Sequence, residues 1–376
     1  MILFELEKYF NDWNKILLDK DEKDRMDSFA VISRDDLSRR KVADEMKLAA
    51  DKQSKYESQL KRMGVPVIVG LGPTNRHPPP NQRIVHFDLK GAPIKVSYFL
   101  KLMPMLKTLG ATGILLEYED MFPFTGILSS LSAKNAYSKK NIIEILQTAH
   151  SLDLNVIPLV QTFGHLEFAL KLKEFYHLRE VPESPQSLCP SLNSSFTFIN
   201  EMLAQVIEVH TLNQQQQNAI LKPNEQNAFR TIPKLTQIHI GCDEVFQLGE
   251  CPRCREKIHD QLFLDHVYNV GNSIKKKWPD LNVIIWDDQL RQISVDLLKN
   301  SGIGKIVSPM IWVYAEDIYK FIQSQTWDKY SQVFPTAWVA GAFKGAFGET
   351  LLVPVGRRHL ENTLRWLAII QGEGSR

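Results

Sequence analysis

The stretch QIHIGCDE, residues 237–244, decides the predicted fold and the predicted place of the site. It begins as a short β-branched run and ends in two adjacent carboxylates, Asp243 and Glu244. A buried barrel strand has this pattern when it delivers acidic side chains to the carboxyl end of the barrel, where such folds carry their sites. The stretch therefore predicts that Glu244 takes part in chemistry.

Six other short apolar runs share this character and alternate with longer helical patterns. The predicted strands are 84–89, 113–118, 156–161, 237–242, 283–286, 306–312 and 336–342. The predicted helices are 96–109, 139–152, 195–209, 263–277, 294–300, 315–325 and 354–370. Such alternation implies parallel βαβ units, and seven units exceed what most open sheets need. We therefore predict an α/β fold, a (β/α)8 barrel of the TIM type, with its eighth strand missing before Arg376.

The segments outside the alternating strands and helices differ from them in amino-acid composition. Residues 1–63 are rich in mixed charges and poor in glycine and proline, which predicts a helical extension with short heptad-like spacing from Val42. Residues 64–82 are rich in proline and glycine and are interpreted as a linker, which leaves 83–376 as the barrel domain. Residues 211–230, with four consecutive glutamines, are predicted to form a surface loop.

The amino-acid composition limits which binding partners and which cellular compartment are expected for this protein. The chain has 376 residues, 44% of them hydrophobic, and a formal net charge of +2, so it can bury a large core and offers no basic surface for nucleic acid or an anionic membrane. Four cysteines are few for a secreted protein of this size. No signal peptide and no membrane-spanning run are evident. We expect a cytoplasmic or nuclear protein.

The four cysteines include a C-x-x-C motif, Cys251 and Cys254, which is typical of half a zinc site or of a redox pair. A structural zinc ion needs further ligands at suitable spacing, and Cys189 and Cys242 do not supply them in the sequence. We therefore expect no metal. The sequence also contains no phosphate-binding or dinucleotide-binding glycine motif, so no cofactor is predicted.

The adjacent acids do not match the standard pair of a glycosidase, which places two carboxylates on either side of the scissile bond. They suit a mechanism in which the substrate supplies the nucleophile. The runs HIGCDEV, LVQTFGHLEF and IIWDD resemble the family 20 glycoside hydrolases, and HFDLKGAP, LLEYEDMFPF and AFKGA resemble the intracellular branch of that family. The resemblance covers roughly residues 83–370. It implies a retaining exo-β-N-acetylhexosaminidase that acts on a carbohydrate through an oxazolinium intermediate.

The resemblance also implies roles for single residues. Glu244 would be the general acid and then the general base, enclosed by Trp and Ile side chains, while Asp243 would orient the 2-acetamido group. Trp286 and Trp312 would wall the acetamido pocket, although core packing is the alternative for either one. The remaining candidates for substrate binding are Tyr314, toward the acetamido carbonyl, His165, which would support the acid or be structural, and Asp88, Lys90, Glu117 and Asp287.

Several points stay open from the sequence. The family usually presents an arginine on the first strand, where this chain has Asp88 and Lys90, so the choice between galacto and gluco substrates is undecided. Asp287 and Asp288 either orient substrate or cap backbone N–H groups, and a hexosaminidase that uses this pair in its chemistry is a further alternative. A truncated, inactive barrel that binds sugars or partners is the alternative function, and the oligomeric state is undetermined.

Overall fold

The computed structural model describes residues 80–221, 231–343, 346–347, 351 and 353–373. The predicted helical extension at 1–63 and most of the linker at 64–82 lie outside the described residues. Within the described part, no helix is both long and apolar enough to cross a membrane.

The core of the fold is one sheet of seven parallel strands in sequential order. The strands are β1 Ile84–Asp88, β2 Gly113–Glu117, β3 Asn155–Leu159, β4 Gln237–His239, β5 Asn282–Trp286, β6 Val307–Trp312 and β7 Trp338–Ala340. All seven predicted strands are confirmed, although several are shorter than expected. Their order is that of successive βαβ units, in which each crossover places the next strand parallel to and beside the one before it.

Helices connect the strands and cover the outer face of the sheet. They are α1 Val96–Thr108, α2 Lys139–Ser151, α3 Glu167–Leu170, α4 Asn193–His210, α5 Gln214–Ile220, α6 His259–Lys277, α7 Val295–Ser301, α8 Ser324–Ser331 and α9 Gly356–Glu373. The long amphipathic helices α1, α2, α4, α6 and α9 agree with the sequence patterns to within a few residues.

Side chains along each strand alternate between two separate apolar clusters, as the period of two requires. The inner cluster contains residues from six strands: Ile84, Leu115, Ile157, Leu159, Ile284, Trp286, Met310 and Ala340. The residues between them pack under the helices in the outer cluster, for example Val85, Ile114, Ile238 and Ile285. Because β1 and β7 both contribute to the inner cluster, the sheet is curled like a barrel wall.

The fold class is thus a (β/α) barrel-type sheet with seven strands in the described residues. β1 and β7 are its two edges within that part of the chain. The carboxyl ends of all seven strands lie at one end of the curled sheet, because the strands are parallel, and this end is where a barrel carries its site.

The predicted helix at 315–325 is wrong. Residues 315–323 form turns and the helix begins only at Ser324. The carbonyl groups that would start a helix there are taken by the last helix: Asn362 Nδ2 donates to the carbonyl oxygens of Val313 and Ala315, and Trp366 Nε1 donates to Val313 as well. Ile318 and Ile322 are both buried at helical spacing, which explains the misleading pattern.

The predicted loop at 211–230 is also partly wrong, because α5 occupies residues 214–220. Asn213 caps this helix in a reciprocal pair with Gln216. Gln217 is buried and its side-chain oxygen accepts a hydrogen bond from Gln147 Nε2. Polar contacts rather than an apolar stripe hold the helix in place, so hydrophobic periodicity could not reveal it.

Among the described residues, His210, His239 and His266 are buried with exposures of 2% or less, at different places in the fold. His210 Nε2 lies 3.1 Å from the Tyr118 hydroxyl, and His266 Nε2 lies 2.9 Å from the Thr162 carbonyl oxygen. His239, on β4, accepts a hydrogen bond from the Gly241 N–H at Nδ1. Burial lowers the pKa of His210 and of His266 to about 4 and that of His239 to about 3, so all three are neutral.

Candidate active site

The end of β4 departs from regular strand geometry over four residues. Gly241, Cys242 and Glu244 have left-handed backbone conformations, with φ of 68°, 73° and 47°. Only glycine fits at 241, since an added Cβ would lie 1.9 Å from Oε1 of Gln161. Left-handed backbone at residues other than glycine is uncommon and concentrates at functional sites. This turn is what brings two consecutive acidic side chains toward one site.

One imidazole contacts both acidic groups. His165 Nε2 lies 3.3 Å from an oxygen of Asp243 and 3.3 Å from an oxygen of Glu244. The hydrogen bond to Asp243 raises the pKa of His165 to about 9, against the opposing effect of burial, so the ring is cationic near neutral pH. His165 also has a left-handed backbone, with φ of 52°. The Glu244 side chain is 39% exposed, so the expected enclosure by Trp and Ile is not found among the described residues.

A chain of hydrogen bonds continues from Asp243 into the barrel. Gln161 Nε2 donates to Asp243 Oδ1 at 3.2 Å and to Glu117 Oε1 at 2.9 Å, and the second oxygen of Glu117 lies 3.0 Å from His86 Nε2. Burial favours the neutral form of Glu117, but the bonds from His86 and Gln161 and the charge of Lys90 lower its pKa to about 2. Glu117 is therefore an ionised interior group that holds Gln161 in place.

The two residues of the second acidic pair, Asp287 and Asp288, lie in different environments. Asp287 is fully buried, and its carboxylate accepts two hydrogen bonds from Arg291, one from the Tyr330 hydroxyl and one from the Trp312 N–H. Of the two predicted roles, accepting a backbone N–H is the one that this geometry matches, and a fully buried carboxylate has no surface left for a substrate.

Asp288 instead faces the site. Its Oδ2 accepts a hydrogen bond from the Glu244 N–H at 2.9 Å, and its Oδ1 accepts one from Trp312 Nε1 at 3.1 Å. Asp288 therefore connects the backbone of one candidate catalytic residue to a candidate pocket wall.

The aromatic candidates lie at two depths. Trp286 belongs to the inner barrel cluster, is 7% exposed, and packs against His239 with ring centroids 4.5 Å apart. Trp312 is half-buried nearer the rim and packs against Tyr314 at 5.0 Å. Burial, followed by the charge of Asp243, raises the pKa of Tyr314, so its hydroxyl stays protonated and can donate a hydrogen bond.

The ends of β1 and β2 form a charged rim. Lys90 Nζ lies 2.9 Å from Glu119, and Asp88 Oδ1 accepts a hydrogen bond from the Lys90 N–H. Burial, together with the charge of Glu117, raises the pKa of Glu119 to about 8, even though Lys90 opposes this shift. Asp88 and Lys90 are exposed, whereas Glu117 lies below them with both carboxylate oxygens occupied.

Most of the predicted site residues therefore meet at one end of the sheet, with Asp287 and Glu117 buried behind it. Sequence reasoning gave no individual role to three residues that shape the site: Gln161, Asp288 as distinct from Asp287, and Glu119. The alternation of inward and outward side chains provides the missing signal for two of them, because Gln161 and Asp288 continue the inward-facing series Ile157, Leu159 and Ile284, Trp286.

Cys189 lies beside the C-x-x-C pair, although its position in the sequence did not indicate this. Its sulfur atom lies 3.5 Å from that of Cys251 and 3.7 Å from that of Cys254. The loops after β3 and β4 bring these residues together from more than 60 positions apart in the sequence, which spacing alone cannot reveal.

Comparison with known proteins identifies the class of enzyme to which the chain belongs. The family model for the catalytic domain of glycosyl hydrolase family 20 matches residues 95–334, which is more than half of the chain. The chain belongs to this family, and the resemblance inferred from its motifs is confirmed.

Two curated relatives are both named Hexosaminidase D. The human protein (Homo sapiens) is 41% identical over 298 residues, which cover 77% of this chain and 57% of the human protein. The bovine protein (Bos taurus) is 39% identical over 294 residues, which cover 76% of this chain and 79% of the relative. The chain thus spans little more than half the length of the human relative. Among solved structures, a β-N-acetylhexosaminidase from Bacteroides fragilis matches with a TM-score of 0.52 at 17% identity, covering 75% of this chain and 54% of that one, which supports the fold.

Proposed function

We propose that this chain is a retaining exo-β-N-acetylhexosaminidase that removes terminal N-acetylgalactosamine or N-acetylglucosamine from glycoconjugates. The observation that carries the proposal is the pair of consecutive carboxylates, Asp243 and Glu244, both within 3.3 Å of the same nitrogen of His165. Membership of family 20 and the names of the two relatives support it.

In the proposed first step, Glu244 donates its proton to the glycosidic oxygen while the bond to the anomeric carbon breaks. The carbonyl oxygen of the substrate's own acetamido group attacks that carbon and closes an oxazolinium ring. In the second step, Glu244 removes a proton from water, which opens the ring and restores the β configuration. Two displacements at one carbon give net retention.

Asp243 is proposed to accept a hydrogen bond from the acetamido N–H and to stabilise the positive charge of the ring. Its surroundings suit this role, because the cationic ring of His165 and the side-chain amide of Gln161 both contact its carboxyl group and hold it in place. Preorganised charge of this kind is the usual source of transition-state stabilisation.

The sugar itself is proposed to rest against the rim aromatics. Trp312 would pack against the acetamido group, and the Tyr314 hydroxyl would donate a hydrogen bond to its carbonyl oxygen. Trp286 would form the floor of the pocket. Asp88 and Lys90 would contact the outer hydroxyl groups.

The proposal is tested by hydrolysis of 4-nitrophenyl β-N-acetylgalactosaminide and its gluco epimer. We expect turnover by the wild-type chain, a large loss in Glu244→Gln, and a loss in Asp243→Asn that exceeds any change in substrate affinity. NMR of the first-formed product should show the β anomer. A folded, monodisperse wild type without activity on either substrate would contradict the proposal and favour a sugar-binding role.

We also propose that the protein works in a reducing compartment, the cytoplasm or the nucleus. The four cysteines, all buried and unpaired as thiols, are consistent with this. Fractionation of cells that express the tagged chain tests the location.

A further inference from the structure

A cluster of four metal-binding side chains lies beside the candidate active site. A carboxylate oxygen of Glu180 and the sulfur atoms of Cys189, Cys251 and Cys254 all lie within 4.8 Å of one another. All four residues are buried, with exposures of 1%, 0%, 6% and 0%. Nothing in the proposed hydrolysis uses these residues.

Two loops at the carboxyl ends of neighbouring strands build the cluster. In the loop after β3, an antiparallel bridge pairs Arg179 with Leu188 and thereby places Glu180 and Cys189 on the same face of the bridged pair, as diagonal neighbours. In the loop after β4, a turn closed by the Cys254 N–H and the Cys251 carbonyl oxygen, at 2.9 Å, points both thiols inward. This C-x-x-C turn is the usual way in which a chain gives two sulfur ligands to one zinc ion.

Glu180 is held by one oxygen only. Its Oε1 accepts hydrogen bonds from the N–H groups of Glu250 and Cys251, at 2.8 and 2.9 Å. Its Oε2 is buried and has no hydrogen-bond partner among the described residues. A buried carboxylate oxygen without a partner is costly, so the arrangement calls for a positive ligand.

The distances discriminate between a metal ion and a disulfide. Metal–sulfur bonds of about 2.3 Å in a tetrahedral site place the sulfur atoms about 3.8 Å apart. The separations of 3.5 and 3.7 Å from Cys189 to the other two sulfurs are close to this value. A disulfide needs about 2.05 Å and would use only two of the three thiols.

We propose that Glu180, Cys189, Cys251 and Cys254 bind one structural Zn²⁺ ion. Three thiolates and one carboxylate form a complete tetrahedral set, which leaves no open position for catalysis. Soft thiolate ligands in this geometry select zinc over magnesium or calcium.

The ion would stabilise the backbone that carries the candidate acid. It would join the loop after β3 to the loop after β4, which also contains Asp243 and Glu244. Between the cluster and the acid, Gln186 Nε2 donates to the Glu244 carbonyl oxygen at 2.6 Å. Gly164 packs so closely that an added Cβ would lie 2.5 Å from the Asp243 carbonyl oxygen. The same two loops thus form both the metal cluster and the wall of the site.

Metal content of the full chain tests the proposal independently of activity. The protein is purified under reducing conditions without chelator or added metal, and its zinc is measured by plasma mass spectrometry. We expect about one zinc ion per wild-type chain and a loss of at least several-fold in Cys254→Ser. Cys242→Ser is the matched control, since Cys242 is an equally buried thiol outside the cluster, and it should keep its zinc.

A second variant covers the case in which a cysteine change prevents folding. Glu180→Gln keeps an oxygen for the backbone N–H groups but removes the charged ligand, so it should fold and bind zinc more weakly in a chelator titration. The wild type should lose thermal stability on zinc removal, by on the order of 5 °C, and regain it on zinc addition. Cobalt substitution should give the visible bands of a tetrahedral thiolate site.

Three results would overturn the proposal. They are a folded wild type without zinc that takes up none when zinc is added, a Cys254→Ser variant that keeps its full zinc content, and a disulfide within the cluster in chains alkylated directly from cells. Because none of these readouts measures hydrolysis, failure of the zinc site is distinguishable from failure of the proposed function.

Discussion

Asp243 and Glu244 follow β4, and Asp287 and Asp288 follow β5, so the same two-residue acidic motif ends two neighbouring strands. After β4, left-handed backbone at Cys242 and Glu244 accompanies a turn that brings both carboxylates to His165. After β5, Asp287 has an ordinary right-handed backbone and Asp288 begins a short 3-10 helix. The Asp287 carboxylate therefore lies among the helices, where it contacts Arg291 and Tyr330, and the Asp288 carboxylate faces the site. Backbone conformation, rather than residue type, decides what an acidic pair does.

The largest expected effect is on catalysis by the acidic pair after β4, Asp243 and Glu244. Glu244→Gln should lower kcat/KM by roughly 10²–10⁴-fold, because a positioned general acid contributes about that much. The loss should be greatest for substrates with poor leaving groups, which need the proton most. Rates on a series of aryl N-acetylhexosaminides measure this, with unfolding in urea as the control for stability. A uniform loss across leaving groups would refute the assignment of Glu244 as the acid.

The next largest effect is on the free energy of unfolding, and we expect it for the acidic pair after β5, Asp287 and Asp288, but not for the pair after β4. Asp287→Asn removes the charged partner of Arg291 in a buried ion pair, which costs roughly 3–5 kcal/mol of unfolding free energy in comparable cases. Glu244→Gln, at a side chain that is 39% exposed, should change stability little. Urea denaturation of both variants makes the comparison. Equal destabilisation would mean that the two pairs are not structurally distinct.

A smaller effect is expected for the residue that connects the two pairs. Asp288→Asn leaves one oxygen acceptor for the Glu244 N–H and Trp312 Nε1, which lie on different oxygens of Asp288, so at least one of these two hydrogen bonds is lost. A loss of roughly 1–2 kcal/mol corresponds to about a tenfold drop in kcat/KM. Its unfolding free energy in urea should fall by no more than the same roughly 1–2 kcal/mol, which is less than the loss expected for Asp287→Asn. If its activity matched wild type, the hydrogen bonds of Asp288 would have no role in positioning.

The last expected effect is a pH dependence of stability, which arises from the contact of His165 with Asp243 and Glu244. The pKa of His165 is raised to about 9 from an ordinary value of 6.5, so its interactions stabilise the folded chain fully below pH 6.5. That contribution falls as pH rises from 6.5 through 9. The difference in unfolding free energy between wild type and His165→Gln should shrink over this window. A difference that is constant from pH 6 to 9 would contradict a cationic His165.

The fold was largely predictable because each strand is a short apolar run whose register is fixed by burial on both faces. The predicted helix at 315–325 failed because side chains of α9, distant in sequence, bind the carbonyl groups of Val313 and Ala315. In the site, Asp243, Glu244 and His165 were found from motifs. Asp288 and Gln161 were predictable from strand alternation, whereas the approach of Cys189 to the C-x-x-C pair depends on loop folding that local sequence does not encode.

The three buried histidines determine how the fold responds to acid. His210, His239 and His266 are neutral when folded, with pKa values lowered by burial to about 4, 3 and 4, and each binds a proton on unfolding once pH falls below about 6.5. Glu119, whose pKa is raised to about 8, offsets part of this between pH 4.5 and 6.5. Stability should therefore decline on acidification, which urea unfolding at pH 5 and 7 measures. The interior of this barrel should therefore be more stable near neutral pH than in acid.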